Sequence, residues 1–166
     1  MRKRFQLLKR LRTLRLRKRK KSEPGSGFER ILVVCRENGH GIMFNHRRVS
    51  RDEAVLSDVR KIAPTRNLYC SEYSFRYWAR GRNHPSLVIT RQPDPSSEGV
   101  FVLEDSAMTP DELKTFRRII VYEWNRDYPS DVKFEVPNDY ALVNESEFIG
   151  NSHEKITRRV YETKKD

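Results

Sequence analysis

A chain of 166 residues with 34 Lys+Arg against 23 Asp+Glu and a formal net charge of +11 has the length of one domain plus a tail, which excludes a multidomain enzyme. Its hydrophobic fraction of 36% lies below the roughly 45–50% of an average domain. Even so, 17 aromatic residues suffice for a core and exclude wholesale disorder.

The charge is uneven. Residues 1–21 hold Arg2, Lys3, Arg4, Lys9, Arg10, Arg12, Arg15, Arg17, Lys18, Arg19, Lys20 and Lys21 and no acid, which leaves 22 of the 34 basic residues against all 23 acidic ones in residues 22–166. The body is therefore near neutral, and only this arm asks for a polyanion. On a 3.6-residue period Leu7, Leu8, Leu11 and Leu14 share one face, so the arm reads as a basic amphipathic helix when bound and as a solvated tail when free. Its expected partner is nucleic acid; an anionic membrane surface or an acidic protein would satisfy the same charges.

No apolar run in the arm exceeds two residues, and the longest elsewhere, Ile31 to Cys35, is strand-sized, so no signal-peptide core or membrane span is expected. Cys35 and Cys70 sit among strand-like neighbours and read as buried thiols of a reducing compartment, giving a cytoplasmic expectation. The same leader also carries features of a mitochondrial presequence and of a nuclear-localisation cluster.

Residues 22–27 (SEPGSG) form a linker, and the domain, 28–166, opens with a strand over Phe28 to Arg36 whose Ile-Leu-Val-Val-Cys run is apolar on both faces and hence central. Glu37-Asn38-Gly39 turns the chain into Ile42 to Phe44. Ser50 and Glu53 form a capping box for a helix over Arg51 to Ala63, ended by Pro64. Alternation from Tyr69 to Arg80 predicts a strand, with a helix as the alternative. Leu87 to Thr90 and Val100 to Glu104 predict a long hairpin with a polar, Pro-rich tip. Thr109-Pro110-Asp111-Glu112 caps a helix expected over Pro110 to Asn125, a short strand follows at Val132 to Val136, and Asn151 with Glu154 caps a last helix carrying Ile156 and Val160. The fold class expected is α+β: a mostly antiparallel sheet with two or three packed helices behind the basic arm.

Phosphate-loop, paired CxxC, HExxH and GxSxG signatures are missing, so no cofactor and no metal site are expected. The stretch with most chemistry is Arg66 to Arg82. There Tyr73 and Trp78 alternate with Arg76 and Arg80, and aromatic faces beside guanidinium groups suit stacked bases and phosphates. The function this supports is RNA or DNA binding. A metal-independent ribonuclease is the enzymatic variant: Glu72 and His46 would supply base and acid, and Arg76 and Arg80 the phosphate-stabilising cations. A protein-interaction module docked by its arm is the third. The same residues also suit a core-facing aromatic row with a solvated arginine face, and His153 reads as a first-turn surface residue.

Overall fold

The computed structural model describes residues 29–62, 67–79, 87–89, 97–104 and 108–164. The arm, the linker and Arg80 lie outside the described residues.

Strand β1 (Arg30–Arg36) places Ile31 and Val33 on one face and Leu32 and Val34 on the other, all wholly buried, because both faces of the sheet are covered. It is the central strand its sequence predicts. Parallel neighbours flank it, β6 (Gly99–Leu103) on one side and β7 (Arg118–Glu123) on the other. The seven-stranded sheet runs β5-β4-β6-β1-β7-β10-β9, with β4 (Leu68–Cys70), β5 (Leu87–Ile89), β9 (Tyr140–Phe148) and β10 (Ile156–Thr163). A small second sheet pairs β2 (Gly41–Phe44) with β3 (Arg47–Arg48) and β8 (Val132–Lys133). Three helices complete the described part: α1 (Glu53–Ile62), α2 (Glu72–Trp78) and α3 (Pro110–Leu113).

A mixed sheet with a few helices agrees with an α+β class, but the pairing differs from the expectation. In the large sheet four strand pairs are parallel and two antiparallel. The supposed hairpin of residues 87–104 is the main reason: β5 and β6 lie on opposite sides of β4, both parallel to it, so the segment between them is a crossover. The alternation at Tyr69 to Arg80 resolves into β4 followed by α2, with Ser71 as N-cap in extended conformation.

Two expected helices are largely strands. α3 keeps its capping box, Thr109 accepting from the Glu112 amide, but ends at Leu113. The β-branched run Ile119-Ile120-Val121 then enters β7, buried on both faces. Leu113, Phe116, Ile119, Ile120 and Trp124 stand at helical spacing, yet only Leu113 lies in the helix. Ile156 and Val160, four apart, share a face in a strand as readily as in a helix, and β10 pairs along its length with β7 and β9.

Between β2 and β3 the chain turns through Asn45 (φ 50°) and His46 (φ 62°). Two successive left-handed residues make this a type I′ hairpin turn, which asparagine tolerates well.

Candidate functional site

Because β5, β4, β6, β1 and β7 are all parallel, their carboxyl ends lie along one edge of the sheet. From β4 the chain moves outward to β5, whereas from its neighbour β6 it crosses β1 to reach β7. Connections that diverge in this way open a crevice, and open α/β sheets bind ligands there. Antiparallel β10 starts at the same edge, Thr157 lying opposite Glu123, so His153 arrives there too.

His153 is 3% exposed and stacks on the Trp124 indole, ring centroids 4.5 Å apart. Its Nδ1 lies 2.9 Å from Asp52 Oδ2, and its Nε2 lies 3.0 Å from both Ser50 Oγ and the Tyr128 hydroxyl. Asp52, just before α1, accepts from the amides of Ala54 (2.8 Å), Asn151 (2.9 Å) and Ser152 (2.8 Å) and from the Ser152 hydroxyl (3.1 Å). Burial alone would raise its pKa; the Asn151 amide, His153 and the other donors outweigh that and hold the carboxyl well below the usual carboxylate range. An ionised Asp52 accepts a hydrogen bond from Nδ1–H, and in that neutral tautomer His153 presents the Nε2 lone pair to the two hydroxyls. The arrangement is a base oriented by a carboxylate and touching two hydroxyl groups, which is the geometry of proton transfer.

Beside it lies a cavity of about 540 Å³ lined by Phe44, Asn45, Arg47, Arg48, Val49, Tyr128 and Pro129. Its exposed Arg47 gives the groove a positive wall.

A second cluster fills the crevice proper. Glu104, the residue after β6, is buried; Arg48 Nε stands 3.4 Å from its carboxylate and Trp78 Nε1 donates to it at 3.4 Å. Burial, aided by the Glu104 charge, pushes the Cys70 thiol up to about 11, and the Cys35 thiol is driven higher still by the same causes. Among the described residues, no three His, Cys, Asp or Glu side chains are grouped as metal ligands.

The residues singled out from sequence do not converge. Glu72 and Arg76 are exposed on α2, and His46 is exposed at the β2–β3 turn. Tyr73 is 47% exposed, whereas Trp78 is wholly buried. The arginine–aromatic density is spent internally instead: the Arg48 guanidinium lies over the rings of both Tyr73 (4.6 Å) and Tyr77 (4.8 Å). His153 precedes a strand and is buried, contrary to its expected surface position. Ser50 and Glu53 do not cap α1 as a box; Asp52 accepts from the Ala54 amide there, which leaves the Ser50 hydroxyl to His153.

No family model matches the chain, and no curated protein does. Among solved structures, it is similar to a dihydrofolate reductase from Enterococcus faecalis in complex with NADP(H) and RAB-propyl, with a TM-score of 0.62 over 82% of this chain and 97% of that one, at 10% identity. The expectation of a nucleic-acid-binding domain is corrected by this likeness, and with it the ribonuclease and arm-docked interaction variants. No helix among the described residues is long and apolar enough to cross a membrane. The chain has the fold of dihydrofolate reductase.

Proposed function

We propose that the chain is an enzyme that works on a small anionic molecule by proton transfer at His153 Nε2. The observation that carries this reading is the Asp52–His153 pair, with two hydroxyls at 3.0 Å from Nε2, next to the arginine-walled groove. The fold likeness supports an enzyme, but fold alone does not select a chemistry; the site must.

The similar structure holds NADP(H), a dinucleotide. The described residues of the crevice in this chain do not fit one. A pyrophosphate wants glycine-lined turns and free N–H donors at the strand ends. Here β4 is followed by Ser71 and Glu72 and β6 by Glu104, two of them carboxylates and none a glycine, and the wholly buried Trp78 packs against Glu104. No step of this account runs through a nicotinamide.

In the proposed reaction Asp52 keeps Nδ1 protonated, and Trp124 holds the imidazole plane and keeps water from it. Nε2 accepts a proton from a ligand in the groove through the Tyr128 or Ser50 hydroxyl and returns it after the bond change. Arg47 supplies the charge that draws the anion.

An NMR titration with small dicarboxylates and phosphate monoesters tests the reading. Saturable shifts at Val49 and Tyr128 are expected, with affinity about tenfold weaker in Arg47→Ala, the loss of one charge-assisted contact. Absence of shifts with every anion overturns it.

A further inference from the structure

We infer that Ser50 is a covalent nucleophile and that the site hydrolyses anionic esters. This inference deepens the proton-transfer reading by naming the substrate class. Ser50 Oγ, His153 Nε2, His153 Nδ1 and Asp52 Oδ2 form one chain of hydrogen bonds, at 3.0 Å and 2.9 Å across its two junctions. A hydroxyl on a base, and the base on a buried carboxylate, is the constellation that makes serine nucleophilic on unrelated folds, recognised by geometry and not by sequence order. The carboxylate is unusually well fixed, since three backbone amides hold it in addition to His153. Ser50 itself is half-buried, and the Tyr128 hydroxyl, 3.4 Å from Ser50 Oγ, belongs to a residue that lines the groove, while the base stays dry. The Arg51 amide follows the nucleophile in the chain, the position that supplies an oxyanion donor where a serine attacks an acyl group.

The step balances without a co-reactant other than water. Ser50 Oγ bonds to the acyl carbon while its proton passes to Nε2; the C–O bond to the alcohol breaks, and the alcohol oxygen takes that proton. Water then attacks the acyl carbon, gives its proton to Nε2, and the released Ser50 oxygen recovers it. Arg47, on the groove wall, favours an acyl group that carries its own carboxylate.

The test uses the full chain with two probes, a fluorophosphonate and the mono-4-nitrophenyl ester of succinate. The fluorophosphonate loses fluoride as its phosphorus bonds to Oγ. Peptide mapping is expected to place that adduct on Ser50, with labelling lost in Ser50→Ala and His153→Gln and kept in Ser57→Ala, an exposed α1 serine away from the site. Hydrolysis of the succinate ester is expected to be saturable, at least about tenfold above buffer, and faster than that of neutral 4-nitrophenyl acetate. Mapping on the wild-type chain needs no variant to fold. A wild-type chain that is unlabelled at Ser50, or Ser50→Ala turning over the ester at the wild-type rate, overturns the covalent step. If anions still bind the groove in that case, the proton-transfer reading survives; if they do not, both fall.

Discussion

Asp52 and His153, 101 residues apart in sequence, meet at 2.9 Å beneath the turn that joins β9 to β10. The contact ties the start of α1 to the start of β10, and it sets the tautomer of a buried imidazole at the edge where the parallel strands end. Every acceptor position of the carboxylate is used, so the aspartate serves the histidine and not a ligand.

Asp52→Asn should cost about 2–4 kcal/mol at neutral pH, the range for stripping one partner from a buried charge-assisted network. A carboxyl whose folded pKa is depressed contributes stability above its unfolded value, about 3.9, and loses it as pH falls toward the folded value. Urea unfolding of wild type and variant should therefore differ fully at pH 7 and by less at pH 3, the gap narrowing progressively as pH falls below about 3.9. An equal gap at both pH values would show that the charge is not what stabilises.

Native Cys70, with its thiol at about 11, and Cys35, higher, should resist iodoacetamide at pH 8. Thiolate is the reactive form, so alkylation should run at least about 100-fold slower than in urea. Stoichiometric modification of the native chain within minutes would contradict the burial.

Arg36 Nε donates to Glu123 at 2.6 Å and its Nη1 to the Phe134 carbonyl at 3.0 Å, both partners buried. Arg36→Ala should cost about 3 kcal/mol, because a buried carboxylate loses its nearest cation. Arg159, 3.3 Å from the same oxygen, softens the loss. Thermal melts of Arg36→Ala alone and with Glu123→Gln measure the effect, and the double variant should recover part of it.

His46→Gly should stabilise by about 0.5–1 kcal/mol, since a glycine removes the strain of a left-handed non-glycine residue in a type I′ turn. Denaturant midpoints at equal slope decide it; a loss of stability would mean that the imidazole makes a contact worth more than the strain.

NADPH should show no saturable binding to the chain at up to about 1 mM, followed by its fluorescence, because carboxylates stand where phosphate needs donors. Micromolar affinity would mean that the crevice takes the dinucleotide after all.

How much was legible follows from which contacts are local. The central strand showed in Ile31–Cys35, the α3 cap in Thr109–Glu112, and α1 in Val55, Leu56 and Val59, since each signal sits within one element. β7 and β10 were not legible, because four-residue spacings such as Ile156 and Val160 fit both periods and only pairing with β1, β7 and β9 decides. Parallel order was hidden for the same reason: nothing within residues 87–104 tells a hairpin from a crossover around β4. The site was missed because Asp52 was one charge within a helix start and His153 read as a first-turn surface residue of an expected helix. The arginines and aromatics of Arg66 to Arg82 drew attention through composition, whereas Arg48, outside that window, turned out to be the cation over Tyr73 and Tyr77.

The central claim is that His153 Nε2 is a bare base facing Ser50 and Tyr128. Long-range ¹⁵N–¹H correlation of the imidazole at pH 7.5 measures this directly. A protonated Nδ1, an Nε2 with the shift of an unprotonated acceptor, and a change at Nε2 when a small dicarboxylate fills the groove are expected. A proton on Nε2 with Nδ1 bare, or an Nε2 indifferent to every anion, would contradict it.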